Sequence, residues 1–155
     1  MGRGYLAIAA VLVMILHLHS PTLLGMESGE RGADARGSSL DILMLGNSYT
    51  STNSLPVRLD SILTDSGEDA VVTSLTSGGL KLSEHAERAD TPGHSWNVSL
   101  NQQHDYVILQ DQSQVPGLSP ETEYWQDSLV GLEYLNQRIE SQGGDTILFL
   151  SLIHI

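Results

Sequence analysis

The sequence predicts an α/β fold, three layers of α/β/α around a mainly parallel sheet, over residues 40–149. Two observations predict it: four short runs rich in Val, Ile and Leu that suit strands buried on both faces, and apolar residues at helical spacing between them. Strand and helix in alternation imply parallel strands joined by right-handed crossovers, with helices on both faces of the sheet. Length agrees, because setting aside the first 39 residues leaves material for one modest domain.

Leu40 to Leu45 is the first predicted strand. Leu55, Leu59, Ile62 and Leu63 form the apolar stripe of a first helix, with Pro56 tolerated in its opening turn. Ala70 to Leu75 is the second strand, and Leu80 to Ala89 is a shorter helical candidate. Tyr106 to Leu109 is the third strand. Leu129, Leu132, Leu135 and Ile139 mark a long helix, ended by Gly143 and Gly144 before a fourth strand over Thr146 to Leu150. No internal repeat or low-complexity tract is visible.

The first 39 residues have a different character. Arg3 supplies the positive charge of an n-region, and Leu6 to Leu18 is apolar apart from His17, too short for a span of about 20 residues. Ser20 and Pro21 then break any helix. Residues 1–25 therefore read as a secretory signal in preference to a membrane anchor, and 26–39, without apolar period, as a flexible linker. A secreted or periplasmic protein with no stable membrane anchor is expected.

Composition narrows the chemistry. The chain has no cysteine, so disulfides, thiolate metal sites and a cysteine nucleophile are excluded, and any nucleophile must be an oxygen. Nineteen acidic residues against seven basic ones give a formal charge of −12, which argues against nucleic acid or an anionic membrane as partner. Solubility is reason enough for the acidity. No histidine pattern suggests a metal, and the absence of a Gly-x-Gly-x-x-Gly run or P-loop lysine weakens any nucleotide reading of Gly78 and Gly79, so no cofactor is expected. Asn97-Val98-Ser99 fits a glycosylation acceptor pattern. Oligomeric state is not readable from these residues.

In open parallel sheets, ligands bind beyond the carboxyl ends of the strands, so the segments directly after each strand carry the functional expectation. After the first comes Gly46-Asn47-Ser48-Tyr49-Thr50, where Ser48 stands at the amino end of a helix that favours developing negative charge. Ser48 is a candidate nucleophile there, although taken alone the turn reads more readily as Ser48 or a nearby Ser, Thr or Asn capping the helix. After the second comes Thr76-Ser77-Gly78-Gly79-Leu80, whose glycines let the backbone approach a substrate and offer an N–H to an oxyanion, or simply make a turn. After the third comes Gln110-Asp111-Gln112-Ser113, a polar loop in which the Gln110 amide could point into the crevice as a further oxyanion donor.

Together these blocks resemble the SGNH (GDSL-like) hydrolase superfamily, and more closely the branch whose first block reads Gly-Asn-Ser-Phe/Tyr-Thr and whose third reads Leu-Gln-Asp/Glu-x-Ser. The likeness runs from about Leu40 to Phe149. It implies a flavodoxin-like sheet, with Ser48 as nucleophile and its own N–H an oxyanion donor, Gly79 (Gly78 as the alternative) as a second donor, and Gln110 where the wider superfamily carries an Asn donor. Asn47 stands in place of an Asp and is expected to orient the turn. His85 looks like a feature of the same branch, without a role that the residues suggest.

A serine hydroxyl needs a base, which in this superfamily comes from an Asp-x-x-His block near the carboxyl end. The chain has none. His94 and His104 precede the third strand, away from the crevice, and are expected to be surface residues. The ending Leu150 to Ile155 equals the translation of CTG TCT CTT ATA CAC ATC, part of a transposon sequencing adapter. Residues 150–155 are therefore expected to be an assembly artefact, and the hydrolase incomplete and inactive without its missing block. The expected activity of the whole protein is ester hydrolysis, on a small-molecule or carbohydrate ester. The alternative is a non-catalytic binder of a carbohydrate or small ligand on the same fold.

Overall fold

β1, Leu40–Gly46, is one of two interior strands and is buried from Ile42 to Gly46. It pairs in parallel with β2 (Ala70–Thr76) on one side and β3 (Tyr106–Gln110) on the other, and β3 pairs in parallel with β4 (Asp145–Phe149). The order is β2-β1-β3-β4. These coordinates are a computed structural model that describes residues 39–52 and 54–150; the expected signal (1–25), all but the last residue of the expected linker and the tail 151–155 lie outside them. Each strand begins and ends within one residue of its expected bounds.

Between the strands stand α1 (Ser48–Thr52), α2 (Leu55–Asp65), α3 (Leu82–Asp90), α4 (Ser95–Leu100) and α5 (Glu123–Ser141). The chain steps one way from β1 to β2 and the other way from β2 to β3 and on to β4. With right-handed crossovers, α2 must therefore lie on one face of the sheet and α3, α4 and α5 on the other. Leu43, Leu45, Val107 and Leu109 meet Leu82, Trp96, Leu100, Leu135 and Ile139 on that second face, forming the core. Burying a side chain such as Leu135 contributes about 2 kcal/mol relative to leaving it in water.

β2 corrects one expectation. It lies at the sheet edge, where Val71 is 46% exposed, and it is not buried on both faces. α2 packs against that same edge strand and buries none of its residues fully, so Ile62 of the expected apolar stripe faces outward.

α5 begins before its apolar stripe does, because the Thr122 hydroxyl accepts the Trp125 N–H at 3.4 Å and caps the helix. α3 and α5 meet at Gly131, where a methyl group would stand 2.6 Å from Leu82 C and Ser83 N. Arg138 fastens the far end of the same layer. Its guanidinium donates to the carbonyls of Ala89 and Asn97, to the Tyr134 hydroxyl and to Asn101 Oδ1 at 2.7–3.4 Å. Among the described residues no helix is long and apolar enough to cross a membrane.

The change of direction between β2 and β3 makes a topological switch point at the carboxyl ends of β1 and β3, where a crevice opens in this architecture. Gly46 and Gln110 end those two strands.

Candidate functional site

The turn after β1 is tied down by one side chain. Asn47, 1% exposed, donates its backbone N–H to Gln110 Oε1 at 3.2 Å. Its Nδ2 donates to the carbonyls of Leu80 at 3.3 Å and Asp111 at 3.0 Å, and its Oδ1 accepts the Tyr49 N–H at 3.1 Å. A buried amide with its donors and acceptor all matched holds one geometry, because each bond lost inside would leave a group without water to replace it. The three loops that follow β1, β2 and β3 are thereby joined at Asn47. Ser48 follows it directly and is exposed.

Further bonds narrow the turn. Ser77 donates its N–H to Gly46 O at 3.2 Å, which ties the second loop to the first. The Thr50 hydroxyl, also buried, donates to Gln110 Oε1 at 2.6 Å. Gly79 lies in the left-handed region at φ +71°, exposed, two residues before the α3 N-cap Lys81. Asp111 accepts the N–H groups of Leu82 at 3.0 Å and Gln112 at 2.7 Å on Oδ1, and the Ser128 hydroxyl on Oδ2.

Gln110 does something that its place in the sequence did not suggest. Its carbonyl oxygen braces the Asn47–Thr50 turn, while Nε2 is buried with no partner among the described residues. Because Asn47 N–H can only donate, this orientation of the amide is fixed by the network itself. Thr50 belongs to the same Gly-Asn-Ser-Tyr-Thr block, and its part in the turn depends on Gln110, 60 residues later.

No family model matches the chain, and no curated protein matches it. Among solved structures, it is similar to a protein from Slackia heliotrinireducens described as a candidate SGNH hydrolase, with 28% identity and a TM-score of 0.59 over 72% of this chain and 55% of that one. The chain has the SGNH hydrolase fold. TesA shares that fold at 16% identity and a TM-score of 0.54, over 70% of this chain and 58% of its own. The chain thus spans little more than half the length of either solved structure.

Within the SGNH frame, the three described histidines are committed elsewhere. His94 Nδ1 accepts the Trp96 N–H at 3.3 Å and caps α4. His104 corrects the expectation of a surface residue: it is 6% exposed, with Nδ1 2.5 Å from Asp41 Oδ1 and Nε2 3.0 Å from Ser99 O. Both contacts lie at the amino ends of β1 and β3, the far end of the sheet from Ser48. The partner Asp41 is 63 residues away in sequence, so local pattern gave no signal for the pair. Among the described residues no group of three or more His, Asp or Glu side chains could hold a metal ion.

His85 is fully buried in α3, and its Nδ1 accepts the Trp96 indole N–H at 2.8 Å. Burial first, and then the Arg88 guanidinium, push its pKa from 6.5 down to about 4, against the opposing pull of Glu84 and of the Gln110 backbone. A folded value below the unfolded one means that the unfolded chain takes up the proton first. The neutral ring therefore stabilises the fold fully above pH 6.5, and that contribution is lost as pH falls toward 4. The total is about 3 kcal/mol. Urea midpoints between pH 7 and 4.5 should fall more steeply for the wild type than for His85→Gln, which has no proton to bind there; parallel slopes would contradict a depressed value.

Proposed function

We propose that this chain carries the nucleophilic part of a secreted SGNH-type ester hydrolase. The observation that supports it best is the Asn47 network, which holds an exposed serine at the switch point, where loops from three strands meet. In this reading Ser48 Oγ attacks the ester carbonyl carbon as a base takes its proton. The tetrahedral oxyanion is met by the N–H groups of Ser48 and Gly79, and by Gln110 Nε2, the buried donor that still lacks an acceptor. Collapse breaks the bond to the alcohol oxygen, which leaves with the proton, and water then hydrolyses the acyl-serine to the acid. The base belongs to residues outside 39–150, since His85, His94 and His104 are all occupied. A small-molecule or carbohydrate ester is the substrate class proposed, uncharged or cationic, because a chain at −12 repels polyanions.

That occupation of the histidines is also the observation that favours the second reading, a binder without turnover. An organophosphonate that phosphonylates activated serines separates the two. In the full-length protein, mass spectrometry should find the adduct on the peptide that contains Ser48. Labelling elsewhere, or none at a reagent level that saturates a control serine esterase, would leave the binder.

A further inference from the structure

We propose that Asp111 is a positioning residue: its carboxylate clamps the start of α3 to the loop after β3, and so sets where the Gly79 turn stands relative to Ser48. The effect on turnover rests on the hydrolase reading above; the effect on the turn does not.

An α-helix begins with N–H groups that have no partner within it, and a side-chain oxygen at the cap position usually meets one of them. α3 has no such oxygen. Its N-cap is Lys81, whose ammonium only donates, and the local bond from Lys81 N–H to Glu84 Oε2 at 2.9 Å satisfies the cap residue and not the helix. Asp111 supplies the missing acceptor from 29 residues away, because its Oδ1 accepts the Leu82 N–H at 3.0 Å. The same oxygen accepts the Gln112 N–H at 2.7 Å, and Oδ2 accepts the Ser128 hydroxyl from α5, so the carboxylate is held on both sides. Leu82, Asp111 and Ser128 are all buried, and water does not compete for these bonds.

A cap from Lys81 itself would satisfy a helix N–H and leave α3 free to shift against the sheet. A cap from Asp111 closes a ring. Asn47 Nδ2 donates to Asp111 O at 3.0 Å and to Leu80 O at 3.3 Å, and Leu82 returns to the Asp111 carboxylate. Ser48 follows Asn47 and Gly79 precedes Leu80, so the two main-chain N–H groups proposed for the oxyanion leave the ring at neighbouring corners. Without the Leu82 bond, the Gly79 turn stays tied to the β1 side, at Gly46 and Asn47, and loses its direct tie to the loop that follows Gln110.

Three variants separate this clamp from general stability. Asp111→Ala removes both oxygens. Asp111→Asn keeps an oxygen for Leu82 and Gln112 and turns an NH2 toward the Ser128 hydroxyl, which can accept. Ser128→Ala removes only the bond from α5. Exchange of the Asn47 side-chain amide protons, measured in this chain against the Leu43 N–H, should be roughly tenfold faster in Asp111→Ala and within roughly twofold of wild type in the other two. Equal acceleration of Asn47 and Leu43 in Asp111→Ala would make Asp111 a stability residue only and overturn the proposal. So would an effect of Asp111→Asn or Ser128→Ala as large as that of Asp111→Ala. Should Asp111→Ala not fold, the wild type decides: a scalar coupling across the hydrogen bond from Leu82 N to the Asp111 carboxyl carbon is expected, and its absence beside visible couplings in β1 overturns the proposal. In the full-length protein, Asp111→Ala should lower kcat for ester turnover roughly tenfold with KM unchanged, and Asp111→Asn should restore it. If Ser48→Ala leaves turnover unchanged, the hydrolase reading fails, and exchange at Asn47 still decides what Asp111 does.

Discussion

Replacing Ser48 with alanine in the full-length protein is expected to lower kcat/KM for p-nitrophenyl acetate by about 10⁴-fold while leaving the melting temperature where it was. The size of the loss follows from what remains: oxyanion donors and binding alone retain a modest acceleration over water, and the nucleophile accounts for the rest. Two other hydroxyls of α1 are already engaged. The Thr50 hydroxyl is buried and spent on Gln110, and the Ser51 hydroxyl donates back to Ser48 O at 3.3 Å. Stability should hold because Ser48 is exposed, and changes at such positions stay within about 0.5 kcal/mol. Equal rates for the two proteins would remove Ser48 from the mechanism.

Gly46→Ala should be the most damaging small change at the site. Its new methyl would stand 2.1 Å from Thr50 Oγ1, 2.7 Å from Thr50 Cβ and 3.0 Å from Gln110 Oε1. Thr50 cannot simply rotate away, since its hydroxyl bond to Gln110 would go with it, and Gln110 Oε1 also holds Asn47. Overpacking of this kind costs about 3 kcal/mol, a fall in melting temperature on the order of 15 °C for a domain of this size. Turnover by the full-length protein should drop with it, even well below the new melting point, because the displaced atoms are the ones that hold the Ser48 turn. A melting point within about 2 °C of wild type would mean that the turn has slack that the structure does not show.

Much of this arrangement could be read from the chain before any coordinates. The four apolar runs have the length and composition of buried parallel strands, and that pattern is local, so Leu40–Gly46 and Tyr106–Gln110 emerged nearly whole. α4 did not. Six residues are too few to display a helical period, and its only trace is Trp96 and Leu100 four apart. The exposure of β2 was hidden because Val71 and Val72 look the same at an edge as in the middle; only strand order tells them apart.

The site divides along the same line. That the segments after three strands meet at one end of the sheet follows from topology, and the bonds of Asn47 to Leu80, Asp111 and Tyr49 join them there. Which half of the Gln110 amide would face the turn depends on Thr50 and Asn47, 60 and 63 residues earlier, and no spacing rule reaches that far. His85 is the same case: its partner Trp96 lies on a helix too short to foresee.

Arg138 has a consequence for how the molecule meets its medium. Its guanidinium is engaged by uncharged oxygens, those of Ala89, Asn97, Tyr134 and Asn101, so it joins α3, α4 and α5 without facing a carboxylate in any of these bonds. Dissolved ions weaken attraction between exposed opposite charges over a Debye length of about 10 Å at 0.1 M, but they have little purchase on short contacts between a cation and neutral dipoles. The corner where three helices meet is thus held by bonds that brine would leave largely intact.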